Sequence, residues 1–316
     1  MEFQNAKIQH AIGSSLRRSA WRVTRSCAIA GLVALAVAAP VVAQTGTAAA
    51  DSEVILITGS TDGLGREVAL ELAEPGVHIA VHGRNRERGV EVVREIVEAG
   101  GTATFYQADL AELDQVRRLA EEIIRDYDRL DVLVNNAGIW LTPEQGRRVN
   151  AAGHELHFAV NYLSHFLLSH DLLPLLLETP SARIVNVASG AQQPIDFDDV
   201  MLERGYNDGR GYAQSKLAQI LFTIDLADQL EGSGIRVNAL HPASMMNTSM
   251  VLSRGAATRS SVEEGVEAVM NLIRSPDVGS GEYYSGTRRT DASSQAYDEE
   301  ARARLRQLSE ELTGMR

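Results

Sequence analysis

From Glu53 onward, short apolar runs alternate with stretches of helical periodicity, and this alternation restricts the fold more than any other feature of the chain. The runs are VILIT, VHIAVH, TATFYQ, DVLVN, ARIVNVA and IRVNAL. Helical patterns lie between them, one from about Gly63 and others over 87–99, 112–127, 153–177 and 211–230. Short continuous Val/Ile runs suit strands buried on both faces, and strand–helix alternation requires a parallel sheet covered on both sides. The expected fold class is therefore α/β, a single Rossmann-type doubly wound parallel sheet over residues 53–316. A last strand over 279–284 and a charged C-terminal helix complete the pattern.

Composition narrows what such a sheet could serve. A formal net charge of −12 argues against a nucleic-acid partner, because phosphate backbones need clustered basic residues. A small-molecule substrate is expected instead. The single cysteine, Cys27, excludes an intrachain disulfide and a CxxC metal site, so any redox chemistry must come from a bound cofactor. No metal is expected. Ahead of the alternating region, Arg17, Arg18, Arg22 and Arg25 precede an uncharged run over 27–43 that ends in Val41-Val42-Ala43. Residues 1–43 read as a signal peptide or an N-terminal anchor, with a degenerate twin-arginine pair at Arg17-Arg18, and 44–52 as a linker. The expected location is exported (periplasmic or extracellular) or membrane-anchored, with membrane contact through this segment. A mis-assigned start upstream of a cytoplasmic protein is the alternative.

Two short patterns carry chemistry. Thr58-Gly59-Ser60-Thr61-Asp62-Gly63-Leu64-Gly65 follows the first strand and opens a helix, where glycines let backbone approach a pyrophosphate at the helix N-terminus. The spacing is TGxxxGxG, and no Gly-Lys-Ser/Thr closes it as a P-loop would require. After the second strand stand His82-Gly83-Arg84, where an NAD site would place a carboxylate on the ribose hydroxyls. Arg84 can instead grip a 2′-phosphate, which favours NADP over NAD; the less favoured alternative is that Arg84, Arg86 and Arg88 form a solvated face. The second pattern is Tyr212-Ala213-Gln214-Ser215-Lys216, which puts a phenol and an ammonium four apart on one helical face. Lys216 is the only lysine besides Lys7, and a compact ammonium could reach both a ribose and the phenol. Tyr206 with Arg210 has the same spacing and reads as a decoy. Ser189 ends a strand, Asn161 lies mid-helix, and His154, His157, His165 and His170 read as packing or surface residues.

These motifs, with Asp109-Leu110 and Asn135-Asn136-Ala137-Gly138 after successive strands, resemble the short-chain dehydrogenase/reductase family. HFAVNYLSHFLL, IDFDDVMLERGYNDGRG, SKLAQILFTIDLADQL and LRQLSEELTG look most like its retinol-dehydrogenase branch. The resemblance implies a catalytic set of Asn161, Ser189, Tyr212 and Lys216. It also implies a cofactor set of Thr58, Gly59, Thr61, Gly63, Leu64, Gly65, Arg84, Asp109, Leu110, Asn135, Ala137, Gly138 and Thr248, joined by Tyr212 and Lys216. Two departures stand out. Asp62 occupies a loop position where many NADP members carry a basic residue, and His241-Pro242-Ala243 lacks the usual Pro-Gly, which should stiffen that loop. The implied activity is reversible alcohol/carbonyl oxidoreduction on a lipophilic substrate, walled by 139–145, 191–211 and Met245, Met246 and Met250. A catalytically silent dinucleotide-binding sensor or scaffold is the alternative. A homo-oligomer is left open.

Overall fold

The computed structural model describes residues 52–315, so the leader and most of the linker expected over 1–52 lie outside the described residues. One eight-stranded sheet runs in the order β3-β2-β1-β4-β5-β6-β7-β8. Its strands are β1 (Glu53–Ile57), β2 (Val77–Gly83), β3 (Thr102–Gln107), β4 (Val132–Asn135), β5 (Arg183–Val187), β6 (Arg236–His241), β7 (Tyr283–Ser285) and β8 (Arg288–Arg289). All pairings are parallel except β7 with β8, a short antiparallel edge hairpin. The expected last strand is thus present but begins later and folds back once.

Side chains alternate across the sheet. Val54 and Leu56 of β1 enter one core while Ile55 and Ile57 enter the other, which is why the strand is apolar at every position. Helices α1 (Gly63–Glu71), α2 (Arg86–Glu98) and α8 (Val262–Arg274) cover the second core through Val68, Val92, Ile96 and Leu272. Helices α3 (Leu113–Asp126), α4 (Ser164–Asp171), α6 (Asp208–Gln229) and α9 (Glu299–Thr313) cover the first through Leu119, Phe166, Leu221 and Leu305. Two short helices, α5 (Leu173–Leu177) and α7 (Ser249–Leu252), complete the set.

The helix expected over 153–177 is corrected by the structure. It starts at Leu156, passes through a π turn (Phe158–Leu163), continues as α4 and α5, and is preceded by the turn around Asn150 and an isolated bridge between Val149 and Glu155. Asn161 sits inside the π turn, a geometry common at functional positions.

Chain order reverses between β1 and β4: β2 and β3 lie to one side of β1, β4 to β8 to the other. Ligands of open α/β sheets bind beyond the strand C-termini at such a switch point. The main cleft, of about 1390 Å³, opens there.

Candidate active site

The glycine loop and the Asn136–Gly138 turn meet at the mouth of this cleft, and Thr58 joins them. Its hydroxyl accepts hydrogen bonds from the backbone N–H of Asn136 at 2.9 Å and of Ala137 at 3.0 Å. Asn136 in turn donates its side-chain amide to Thr58 O at 2.8 Å. Thr58 is fully buried and Asn135 turns inward, donating to Ser169 Oγ and Asn186 Oδ1 at 2.9 and 2.8 Å. Both expected cofactor residues therefore stand behind the cleft wall and shape it, while Asn136, Ala137 and Gly138 line it. Glycine is required at two places here. Gly59 has φ +66 and a Cβ on it would come within 2.8 Å of Ala137 Cα; a Cβ on Gly65 would fall 2.3 Å from Asn136 Nδ2.

The nucleotide end is built on His82, whose role the sequence did not reveal. Its Nδ1 accepts from Gly59 N–H at 3.1 Å, leaving Nε2–H to donate to Ala108 O at 3.2 Å. The imidazole thus fastens the glycine loop to the end of β3, and burial lowers its pKa to about 4, keeping it neutral. Thr61, Gly63, Leu64, Gly65, Arg84, Asp109 and Leu110 all line the cleft, as does Arg88, which had been grouped with a solvated face. Arg84 is largely exposed, with its guanidinium 3.8 Å from Asp109. Thr248 faces Gly63 from across the cleft, 3.4 Å from where a Cβ there would stand. In the loop that follows His241-Pro242-Ala243, Met245 takes the left-handed conformation, φ +49. A non-glycine side chain pays about 1–2 kcal/mol for that backbone conformation, so the surrounding contacts must hold it.

At the catalytic end, α6 carries Tyr212 and Lys216 on the face toward the sheet. Lys216 Nζ donates to Val187 O and Gln219 Oε1, both at 2.8 Å, and burial lowers its pKa to about 7. It lies 5.9 Å from the centre of the Tyr212 ring. Burial raises the Tyr212 phenol and Ser189 pulls it back. Burial, and not the nearby Lys216, thus dominates the surroundings of the phenol. Ser189 Oγ accepts from Ala191 N at 3.1 Å, and its own hydroxyl hydrogen-bonds the Tyr212 phenol. Asn161 does not line the cleft. Its Oδ1 accepts from Ile139 N at 2.7 Å and its Nδ2 donates to Ile139 O and Ser215 Oγ, so it clamps the loop after Gly138 to α6. Tyr206 lies off the cleft, its hydroxyl buried without a hydrogen-bond partner.

Four side chains, Trp140, Arg254, His157 and His165, make contacts at the site that sequence reasoning did not foresee. Trp140 stacks on Tyr212, ring centres 5.0 Å apart, and is covered by Arg254 at 4.0 Å. Arg254 also bonds Leu141 O and pairs with Asp208 at 2.5 Å. His157 accepts from Leu141 N at 3.0 Å, donates to the buried Glu155 at 2.8 Å and sets its ring edge against Tyr212. His165 receives Gln219 Nε2 at 3.0 Å, so the amide that holds Lys216 is itself held. The histidines do pack, but two of them also position this site. The 191–211 insertion is a correction: only Ala191 lines the cleft. Its start packs against the C-terminal segment, with Ile195 N donating to Gln295 Oε1 and Ser293 N to Gln192 Oε1, and its middle is held by Gln214 of α6, which bonds Asp196 N and Val200 O. Its share of the wall is taken by Arg148, Val149, Leu156 and Val160, beside Trp140, Leu141 and Met250. Among the described residues, no group of three His, Cys, Asp or Glu is disposed to hold a metal, and no helix is long and apolar enough to cross a membrane.

Residues 53–258 match the family model for short chain dehydrogenases. Retinol dehydrogenase 14 of Mus musculus is 35% identical over 290 residues, covering 83% of this chain and 86% of that protein. Among solved structures, an uncharacterised protein from Mycobacterium Paratuberculosis superposes with a TM-score of 0.68 at 31% identity, covering 83% of this chain and 93% of its own. A short chain dehydrogenase from Shigella flexneri complexed with NADP gives a TM-score of 0.62 at 25% identity, covering 77% and 100%.

Proposed function

The chain belongs to the short-chain dehydrogenase family, and from that premise we propose that it prefers NADP, acts on lipophilic alcohols and carbonyls, and transfers protons through Tyr212. Membership makes it an NAD(P)-dependent oxidoreductase acting on CH–OH groups of a small-molecule substrate. The observation that carries the reading is the placement of Tyr212, Ser189 and Lys216 on one cleft with the glycine loop.

The residues fit a dinucleotide. The N-terminus of α1, opened by Gly63 and Gly65, faces the cleft where a pyrophosphate would lie. Arg84 carries the preference for a 2′-phosphate, since no carboxylate stands at the end of β2 to repel it. When bound, the nicotinamide supplies the hydride that passes to or from the substrate carbon. Tyr212 would donate its phenolic proton to the oxygen in reduction and take it back in oxidation, with Ser189 Oγ donating a hydrogen bond to the same oxygen. An ammonium has three donors, and Lys216 spends two on Val187 O and Gln219 Oε1, which leaves one for a ribose or the phenol. Asn161 acts as a positioning residue.

The apolar wall of Trp140, Leu141, Leu156 and Met250, with the retinol dehydrogenases among the relatives, supports a lipophilic substrate. We assign residues 53–316 to the oxidoreductase domain, behind a linker over 44–52 and a leader over 1–43. Titrating the full-length protein with NADPH and NADH, then assaying aldehydes, ketones and alcohols including retinal, tests the reading. Arg84→Ala should cut the NADPH:NADH affinity ratio by roughly ten-fold, the worth of one charge-assisted contact. Equal wild-type affinities would overturn the NADP assignment.

A further inference from the structure

Asp62 is a departure from the family pattern that ought to oppose NADP, and its surroundings suggest what it does. It caps α1, Oδ1 accepting from Gly63 N at 2.8 Å. Its other oxygen receives Arg88 at 3.1 Å and the hydroxyl of Ser249, the first residue of α7. Arg88 sits in the first turn of α2, its backbone N–H capped by Asn85 Oδ1 at 3.0 Å, and its side chain reaches back across the end of β2 to the glycine loop. Asp62, Arg84 and Arg88 all line the nucleotide end of the cleft, and Arg84 leans toward Asp109. Each of the two cations at this corner therefore already faces a carboxylate.

A phosphate monoester arriving beside Arg84 carries more charge than a carboxylate and three acceptor oxygens, so it competes well for a guanidinium. The Asp62–Arg88 pair is about half exposed on both sides, which makes it weak and readily exchanged. Asp62 does not lose its place when Arg88 leaves, because Gly63 N–H and the Ser249 hydroxyl still hold it. We propose that Arg88 is a second 2′-phosphate ligand and that Asp62 sets cofactor selectivity by holding Arg88 in an ion pair the phosphate must take over. The proposal rests on the NADP reading above. Asp62 weakens NADP binding without abolishing it, so the preference stays moderate, and the carboxylate that caps α1 also tunes the cofactor.

The test is a double-mutant cycle read by direct binding, with NADPH and NADH titrated against the full-length wild type, Asp62→Asn, Arg88→Ala and the double variant. Asn caps a helix as well as Asp, so Asp62→Asn keeps α1 intact. Asp62→Asn should raise the NADPH:NADH affinity ratio about five-fold, the upper worth of an exposed ion pair. Arg88→Ala should lower NADPH affinity about ten-fold and leave NADH nearly unchanged. In the Arg88→Ala background the gain from Asp62→Asn should shrink below about two-fold, the mark of two coupled residues. An undiminished gain there would show Asp62 repelling the phosphate directly, and unchanged NADPH affinity in Arg88→Ala would remove Arg88 from the site; either result overturns the proposal. Failure of the NADP reading looks different, as equal wild-type affinities for the two nucleotides. An Asp62→Asn gain for NADPH that Arg88→Ala abolishes would still establish the competition.

Discussion

Tyr212 occupies a position where the protein's own groups pull in opposite directions. Burial against Trp140 and His157 raises the phenol and keeps its proton on, which suits a donor to a developing alkoxide. Oxidation needs the phenolate, so its rate should climb with pH as that proton is lost. Lys216 is prepared differently: burial lowers its pKa to about 7, while its Nζ sits against the oxygens of Val187 and Gln219. Removing only the hydroxyl by Tyr212→Phe keeps the stacking on Trp140 and should lower turnover by at least ~100-fold, within the usual range for a general acid–base group. Nucleotide titration should show NADP(H) affinity largely intact. Tyr206→Phe should keep most activity, because that hydroxyl is buried off the cleft without a partner. Activity surviving in the first variant and lost in the second would reverse the assignment.

At the scale of elements, neutral histidines hold segments together. His82 joins the glycine loop to β3, His78 of β2 reaches Thr102 at 2.9 Å and Tyr127 at 2.8 Å, and His165 of α4 backs Gln219 on α6. Burial lowers His78 and His82 to about 4 and His165 to about 3, against an ordinary 6.5. The folded chain therefore refuses protons that the unfolded chain takes up below pH 6.5. The stability these residues contribute is fully present above that value and is lost as pH falls toward 4. At about 1.4 kcal/mol per pKa unit, three such residues amount to several kcal/mol, enough to dominate a marginally stable protein. Asp171 and Asp225, raised by burial, work in the opposite direction at the acid end. Urea midpoints should thus fall steadily between pH 6.5 and 4, and a flat profile across that window would show that the histidines are not held neutral. The same elements show why the sequence misread 153–177 as one helix. Periodicity registers the apolar face of α4, but it cannot record the bonds by which Asn161 in the π turn holds Ile139 of the loop after β4 and Ser215 of α6.

For the whole molecule, the C-terminal helix decides whether the first core is sealed. Leu305 is 1% exposed, and Tyr162 from the π turn bonds Ser309 at 2.6 Å, so α9 closes the core beneath α6. Leu305→Ala should destabilise the fold by about 2–5 kcal/mol, with a lower denaturation midpoint and little change in the NADPH:NADH ratio. An unchanged midpoint would mean that α9 is dispensable to the core. What the sequence determined by itself is whatever follows from local pattern. Runs such as VILIT and IRVNAL, short and rich in β-branched residues, read as strands buried on both faces, and the glycine loop follows the first of them at the switch point. Tyr212 and Lys216 four apart on α6 were legible for the same reason. Only the tertiary structure decided that Trp140 lies between Tyr212 and Arg254, that Arg88 pairs with Asp62, and that the 191–211 insertion faces Gln295 and not the cleft. Each of those contacts joins residues 26 to 114 positions apart, for example Arg88 with Asp62 and Arg254 with Trp140. No local period records them, because they form only once the parallel sheet has brought its crossover connections together above the strand ends.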